Sequence, residues 1–193
     1  MKSIKRDRYE QMYRHLLAYD GYTADHSNHV ANVATEIARE MNFTEEDVEM
    51  IYFAARLHDI GKIYVPLEIL NKPGRLTEEE FQIVKGHPLH GYNMLDKNLF
   101  PENVRKAVLS HHERVDGKGY PHSLPEEEID VFSRIISVAD VYDALISERP
   151  YRPALKRETA LNIIKKDTGT HFCPEVVSAF FQVEDELYAQ MIS

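Results

Sequence analysis

Apolar residues recur at helical spacing along most of this chain, and that periodicity limits the fold more than any other feature. One stripe runs from Tyr9 to Leu17 and a second from Val30 to Met41, with the three- and four-residue spacing that puts apolar side chains on one helix face. Thr44 and Thr77 each precede acidic residues, as helix N-caps do. Because the chain has only 8 glycines and no run of alternating apolar and polar residues, we predict an all-α, single-domain bundle of about seven to eight helices.

The length of 193 residues is typical of one domain. We expect residues 1–21 to form a lead-in helix, consistent with the end of a linker, and residues 22–193 to form the domain itself. The N-terminus lacks a signal-peptide pattern, and no apolar run approaches the roughly 20 residues that a membrane-spanning helix needs. We therefore expect a soluble, cytoplasmic protein without membrane insertion.

Charge and cysteine content exclude several classes of protein. The chain has 23 Lys and Arg against 32 Asp and Glu, for a formal net charge of −9, which disfavours a binder of nucleic-acid polymers or of anionic membranes. The single cysteine, Cys173, excludes an intrachain disulfide framework and a cysteine-rich zinc site. Any bound metal would therefore be held by nitrogen and oxygen, and the chain has 10 histidines.

Several histidine and aspartate residues stand where an unpaired polar side chain would be costly. His58 and Asp59 follow the apolar segment 50–57, and Asp140 lies inside the apolar segment 135–141. Burying a lone carboxylate there would cost on the order of several kcal/mol. Either carboxylate could instead be hydrogen-bonded to a helix end, but the pattern as a whole favours metal. The candidate ligands are His26, His58, Asp59, His87, His111, His112 and Asp140.

Seven such groups are too many for one tetrahedral ion and suit two ions that share a bridging carboxylate. Imidazole and carboxylate together accept iron or manganese, which we expect first, and also zinc, nickel or magnesium. We interpret the remaining histidines as solvated or hydrogen-bonded residues. They are His15, His29, His90, His122 and His171.

The candidate ligands lie in segments that can be compared with known motifs. These are His26, His58-Asp59-Ile60-Gly61-Lys62, His87-Pro88, the block from His111 to Gly119-Tyr120-Pro121, and Val138–Ala144. Together they resemble the HD-GYP group of HD-domain phosphohydrolases, over residues from about 22 to about 181. The resemblance implies a helical bundle and a cyclic di-GMP phosphodiesterase. It also implies that His26, His58, Asp59 and Asp140 hold one ion and that Asp59, as a bridge, holds the second with His87, His111 and His112.

Two metal ions about 3.5–4 Å apart can activate a bridging water and hold the attacking and leaving oxygens of an in-line displacement at phosphorus. The predicted reaction is therefore attack of a metal-activated hydroxide on cyclic di-GMP, which gives pGpG, with further hydrolysis to GMP left open. Some members of the group use a Glu one helical turn before the first histidine to bind a third ion. Tyr22 stands at that position, so we predict two ions.

Asp59 and Lys62 are the predicted catalytic residues. Lys62 follows Asp59 by three residues, which would let its charge offset that of a phosphoryl oxygen. Tyr120 could either stack on a base or pack against its own loop, and Glu113 and Asp116 are expected to organise that loop by hydrogen bonds. Cations near the motifs could bind phosphate or guanine edges. The predicted substrate contacts are Lys62, Arg114, Lys118, Tyr120, Arg149 and Arg152.

Two other functions stay open at this point. Nothing in the sequence fixes guanine, so the substrate could be another cyclic dinucleotide or a nucleotide. The chain could also be a non-catalytic signalling module that binds a diguanylate cyclase domain through the Gly-Tyr-Pro loop, although an eroded ligand set, the expected mark of such a module, is not found. The predicted partners are a cyclic dinucleotide and a regulatory domain of diguanylate cyclase or receiver type.

Overall fold

A computed structural model of the chain describes residues 3–148 and 153–191, and this part of the chain is an α-helical bundle without strands. Two 3₁₀ helices, Ile60–Tyr64 and Glu126–Glu128, join longer elements. The all-α prediction is confirmed. The α-helices of the described residues are α1 Ser3–Tyr19, α2 Gly21–Glu40, α3 Glu45–Leu57, α4 Leu67–Leu70, α5 Glu78–Lys85, α6 His87–Met94, α7 Glu102–Ser110, α8 Val131–Ile146, α9 Arg157–Lys166 and α10 Pro174–Met191.

The helix starts follow the capping residues of the sequence. The Thr44 side chain accepts a hydrogen bond from the Asp47 amide at the start of α3. Thr77 and Glu80 form a reciprocal capping box at the start of α5, which leaves fewer unsatisfied amides in the first turn. Helix α4 has no predicted counterpart, because four residues are too few to show a periodic apolar face.

The core forms where α2 packs against α3 and α8. Val30, Ile51 and Ile136 are fully buried there, and Tyr9 and Leu16 of α1 belong to the same apolar cluster. The division of the chain at residue 22 stays a prediction. Among the helices of the described part, none is both long enough and apolar enough to cross a membrane.

Candidate metal centre

The structure brings the seven candidate ligands together in two adjacent groups. We call His26, His58 and Asp140 the first ligand group, and Asp59, His87, His111 and His112 the second ligand group. Within each group, one nitrogen or oxygen atom from every residue lies within 4.8 Å of the others. All of these residues are buried except His112, which is partly exposed.

Helix ends place the adjacent pairs. His58 and Asp59 lie where α3 passes into the 3₁₀ helix, and a helix end relieves the roughly 100° separation of neighbouring side chains. His87 starts α6, and His111 caps the end of α7. The 3₁₀ helix approaches α6 so closely that a Cβ at Gly61 would lie 2.0 Å from the His87 carbonyl oxygen. Glycine is therefore required for Asp59 to reach His87.

Asp59 lies between the two ligand groups. Its Oδ2 atom is 3.4 Å from His58 Nε2 in the first group, and its Oδ1 atom is 3.1 Å from His87 Nε2 in the second. The Lys62 ammonium donates to Oδ2 of the same carboxylate at 2.5 Å. Burial raises the pKa of Asp59, but Lys62 and His58 outweigh it and hold the pKa well below its usual value. Asp59 is therefore a carboxylate with one oxygen facing each ligand group.

Backbone carbonyls orient three of the histidines in the same way. The Nδ1 atoms of His58, His87 and His111 lie 2.6, 2.7 and 2.9 Å from the carbonyl oxygens of residues 55, 84 and 108. A carbonyl can only accept a hydrogen bond, so each Nδ1 carries the proton and each Nε2 keeps its lone pair. Such hydrogen bonds are the usual support of metal-binding imidazoles.

His26 is held by carboxylates instead. Its Nε2 atom is 3.0 Å from Asp140 Oδ1, and its Nδ1 atom is 2.5 Å from Asp143 Oδ2. Burial lowers the pKa of His26, but the hydrogen bonds to the two carboxylates raise it to about 9. In the described structure the imidazole therefore holds both protons, and a metal ion would take the place of the proton at Nε2.

Asp143 is a positioning residue that the sequence analysis did not single out. It is buried, contacts His26, and lies 3.3 Å from His29 Nδ1, so His29 is hydrogen-bonded, in agreement with its interpretation as a solvated or hydrogen-bonded residue. Burial raises the pKa of Asp143, but its hydrogen bonds to His26 and His29 lower it to about 2. The available signal was the three-residue spacing from Asp140, which puts both carboxylates on one face of α8.

The donor set of these residues suits divalent metal ions. His58 Nε2 and Asp59 Oδ1 are buried without a hydrogen-bond partner in the described residues, which is costly unless another group satisfies them. His87 Nε2 and His111 Nε2 lie 3.2 Å apart, although both carry lone pairs. A cation between such atoms would relieve the repulsion.

The charge states of the second ligand group also favour metal binding. Burial and the neighbouring imidazoles lower the pKa of His111 well below its usual value, and burial lowers that of His112 to about 3. Both rings are therefore neutral at pH 7, as metal ligands must be. In the described residues neither Asp59 nor Asp140 accepts a hydrogen bond from a helix-end amide, which disfavours the alternative of purely structural carboxylates.

A buried glutamate organises the Gly-Tyr-Pro loop, as predicted. The carboxylate of Glu113 accepts hydrogen bonds from the amides of His122 and Leu124 at 2.7 and 3.1 Å. The loop turns so tightly that a Cβ at Gly119 would lie 2.4 Å from the Glu113 Cα atom. The loop therefore has a fixed shape next to the second ligand group.

The cations of this loop are held by Asp116, again as predicted for that residue. Arg114 donates to both oxygens of Asp116 at 3.0 and 2.8 Å, and the Lys118 amide donates to the same carboxylate. The Lys118 side chain is 79% exposed. Tyr120 packs its ring on that of His112, with centroids 4.7 Å apart and planes inclined by 28°. This contact favours the packing role of Tyr120.

A cavity of about 760 Å³ opens beside the second ligand group. His87, His112, Lys62 and Tyr120 line it, and so does Tyr22, whose hydroxyl donates to the Glu148 carbonyl oxygen at 3.0 Å. Of the other predicted substrate contacts, Arg114 and Lys118 are not among the described residues that line it. Arg149 and Arg152 lie outside the described residues.

The sequence and the fold were compared with those of known proteins. The model of the HD domain family matches residues 6–176. A protein of Thermotoga maritima named cyclic di-GMP phosphodiesterase is 44% identical over 87% of this chain and 46% of its own length. A Vibrio cholerae protein named 3'3'-cGAMP-specific phosphodiesterase 3 is 40% identical over 82% of this chain and 34% of its own length. The chain thus spans about half or less of the length of these relatives.

The solved structure of an HDG"Y"P protein from Bdellovibrio bacteriovorus superposes on this chain with a TM-score of 0.70. It is 21% identical and covers 84% of this chain and 52% of its own, so it supports the fold alone. The family match extends over most of the sequence, and the ligand groups carry the motifs that suggested the resemblance. The chain belongs to the HD domain family and, within it, to the HD-GYP group.

Proposed function

We propose that this chain is a two-metal phosphodiesterase that hydrolyses cyclic di-GMP to pGpG, with further hydrolysis to GMP left open. The observation that carries the proposal is the position of Asp59, with one carboxylate oxygen facing each ligand group. A shared carboxylate is what two neighbouring divalent ions require. The names of relatives about 40% identical over most of this chain support the substrate class.

Divalent ions bound here would supply an activated water and charge stabilisation at phosphorus. Iron and manganese suit the mixed imidazole and carboxylate ligands best, and zinc, nickel or magnesium are the alternatives. We propose two ions and not three, because Tyr22 stands where some other members of the group have the Glu that binds a third ion. The carbonyl-bound Nδ1 atoms would hold the histidines in one tautomer, and Asp143 would orient His26.

Lys62 is the residue that we assign to the substrate phosphate. Its side chain is 18% exposed and lines the cavity beside the ligand groups, so its ammonium can offset negative charge on a phosphoryl oxygen. Tyr120 would support His112 by packing on its ring at the cavity, and its contact with the substrate stays a prediction. Substrate contacts by Arg114, Lys118, Arg149 and Arg152 stay predictions.

A second candidate function is the same hydrolysis with 3'3'-cGAMP as the substrate, in which one guanine is replaced by adenine. The name of the Vibrio cholerae relative favours it. Partner domains of diguanylate cyclase or receiver type, and a cytoplasmic location, also belong to the proposal. They rest on the sequence analysis, and the share of its relatives that this chain spans leaves room for such domains.

The test combines metal content with turnover. The protein is purified anaerobically, its metals are quantified, and cyclic di-GMP hydrolysis is followed by chromatography with Fe(II), Mn(II) and Zn(II). We expect two ions per chain and formation of pGpG. Asp59→Ala should lower turnover by on the order of 1,000-fold or more, because it removes the shared ligand. Asp25→Ala, which alters an exposed carboxylate beside His26, is the matched control.

Different results would reject different parts of the proposal. Two bound ions without hydrolysis of cyclic di-GMP under any metal would reject the substrate, and turnover of 3'3'-cGAMP under the same conditions would then establish the second candidate. Less than one ion per chain would reject the metal centre. Three ions in fully loaded protein would reject the argument from Tyr22.

A further inference from the structure

The cavity has a second wall that the metal centre does not account for. Ten of the described residues that line it lie between Ile69 and Phe81, in α4, the connection to α5 and α5 itself. We call the cavity-lining residues of this segment the outer wall. None of the ligands belongs to it, so its chemistry concerns the part of a substrate that lies away from the reacting phosphate.

The outer wall presents one cation whose charge is not neutralised. Among the described residues, the lysines and arginines that line the cavity are Lys62, Lys72 and Arg75. Lys62 contacts Asp59 and is assigned above to the reacting phosphate, and Lys72 donates to both carboxylate oxygens of Glu80 at 2.8 and 2.6 Å. Arg75 is exposed and has neither a hydrogen bond nor an ion pair with any described residue. Its guanidinium can therefore bind an anionic group in the cavity, with the planar fork that suits phosphate.

The acidic residues of the cavity do not compete for Arg75. Asp20 accepts hydrogen bonds from the amide and the hydroxyl of Thr23 as the N-cap of α2. Glu78 accepts a hydrogen bond from the Gln82 side chain at 2.7 Å. Both carboxylates are thus engaged within their own helices.

The outer wall also presents an aromatic face. Phe81 is 40% exposed and lines the cavity, so part of its side chain is open to a ligand there. The Lys85 ammonium lies 4.9 Å from the Phe81 ring centroid and 5.4 Å from that of Tyr120, so one cation holds both rings at the cavity. Nucleic-acid bases stack on such exposed rings.

Hydrogen bonds fix the segment that carries both residues. The Glu80 carboxylate binds residues on both sides of Arg75. Its Oε2 atom accepts one hydrogen bond from the Lys72 ammonium, before Arg75 in the chain, and one from the Thr77 amide at 2.7 Å, after Arg75. The turn with Arg75 is therefore closed on both sides by one carboxylate. A recognition residue on a fixed turn loses less conformational entropy when the ligand binds.

We propose that Arg75 and Phe81 recognise the half of a cyclic dinucleotide that is not being cleaved. Arg75 binds its second phosphate, and Phe81 stacks on a base. The inference rests on the proposed function, because only a substrate with two phosphates and two bases places one of each away from the reacting bond. It names specificity-determining residues in a segment without metal ligands.

The test compares two substrates on the metal-loaded full chain. Cyclic di-GMP has a second phosphate and two bases, whereas bis(p-nitrophenyl) phosphate has one phosphate and no base. Arg75→Gln should raise KM for cyclic di-GMP about 10-fold or more, the effect of losing one charge-assisted interaction. Phe81→Leu should raise it about 5- to 100-fold, the range for one stacked base. Arg75→Gln should affect bis(p-nitrophenyl) phosphate much less, because that substrate has no second phosphate. Phe81→Leu should also affect it less, because a nitrophenyl ring stacks with a smaller area than guanine does.

Two matched controls separate recognition from folding. Arg14→Gln removes an exposed arginine on α1, and Phe181→Leu removes a 37% exposed phenylalanine on α10; neither residue lines this cavity, and neither change should alter KM. Melting temperatures of all variants verify that they fold.

Three outcomes would overturn the inference. The first is an unchanged KM for cyclic di-GMP in both Arg75→Gln and Phe81→Leu. The second is an equal loss of activity on the two substrates in these variants. Either result would overturn the inference and leave the proposed function intact. Wild-type protein that hydrolyses bis(p-nitrophenyl) phosphate but not cyclic di-GMP would reject the proposed substrate and this inference with it.

Discussion

The two ends of the cavity are built in different ways. Next to the inner end, the candidate ligands come from α2, α6 and α8 and from the ends of α3 and α7, and His58 and His111 are fully buried. At the outer wall, α4 and α5 bury none of their residues. They are held by the capping box of Thr77 and by the bond of Lys72 to Glu80. The structure of the inner end therefore depends on packing in the core, whereas that of the outer wall depends on local hydrogen bonds.

Under the two proposals made above, this difference separates the residues of the reaction from the residues of recognition. A residue at the inner end cannot move without disturbing packed helices, because close-packed cores tolerate little change of volume. A residue at the outer wall can be exchanged at little cost to stability, since exposed substitutions are usually within about 0.5 kcal/mol. Under the proposed function, this arrangement would allow one set of metal ligands to serve different cyclic dinucleotides.

Substitution of Gly61 should break the inner end most completely. In Gly61→Ala the new Cβ would lie 2.0 Å from the His87 carbonyl oxygen and 2.5 Å from the Gly91 amide nitrogen. Backbone atoms cannot rotate away, so the 3₁₀ helix must shift and separate Asp59 from His87. We expect the free energy of unfolding to fall by on the order of 3 kcal/mol or more, and bound metal to be lost. Chemical denaturation and metal analysis measure both.

Gly21→Ala is the matched control for this change. A Cβ at Gly21 would have no neighbour within 4 Å, and the residue begins α2, where alanine is a good helix former. Unfolding and metal content should stay as in the wild type. The same stability for both alanine variants would contradict the claim that the inner end depends on this close approach.

Substitution of Asp143 should lower the metal affinity of the first ligand group and leave that of the second unchanged. Asp143→Asn keeps the size of the side chain but removes the charge that orients His26 through Nδ1. Loss of such a supporting group typically lowers metal affinity about 10- to 100-fold. We expect one ion to bind at that weaker affinity and the other to bind as before, measured by metal titration. Asp25→Asn is the control, and equal weakening of both sites would contradict the separate roles of the groups.

The candidate ligands could be found from the sequence because their signal is local. His58 and Asp59 follow an apolar run, Asp140 interrupts one, and a buried carboxylate needs a partner. Asp143 could not be singled out in this way, because its contact with His26 depends on how α8 is rotated against α2. That rotation is a property of packing between elements distant in the chain.

The outer wall was missed for a different reason. Helix α4 has four residues, too few for a periodic pattern, and Arg75 differs from any surface arginine only by the cavity beside it. The helical fold was predictable, since apolar spacing and capping residues act within one or two turns. The predicted substrate cations lie close to the motifs in the sequence, but that proximity does not bring Arg114 or Lys118 to the cavity lining.

Substitution of Glu80 should have the smallest effect, and it tests the outer wall without changing the inner end. Glu80→Gln removes the charge that holds Lys72 and weakens the closure of the turn at Thr77. The turn that carries Arg75 becomes less ordered, so we expect KM for cyclic di-GMP to rise a few-fold. No ligand is touched, so metal content and the turnover of bis(p-nitrophenyl) phosphate should stay as in the wild type.

Glu68→Gln, which alters an exposed carboxylate on α4, is the matched control and should leave KM unchanged. The informative quantity is the ratio of the KM change for cyclic di-GMP to the change in bound metal. If Glu80→Gln lowered metal content in step with activity, the outer wall would be part of the same cooperative unit as the metal centre. A KM change without metal loss would mean that the turn is ordered locally, so that recognition can vary while the catalytic geometry stays fixed.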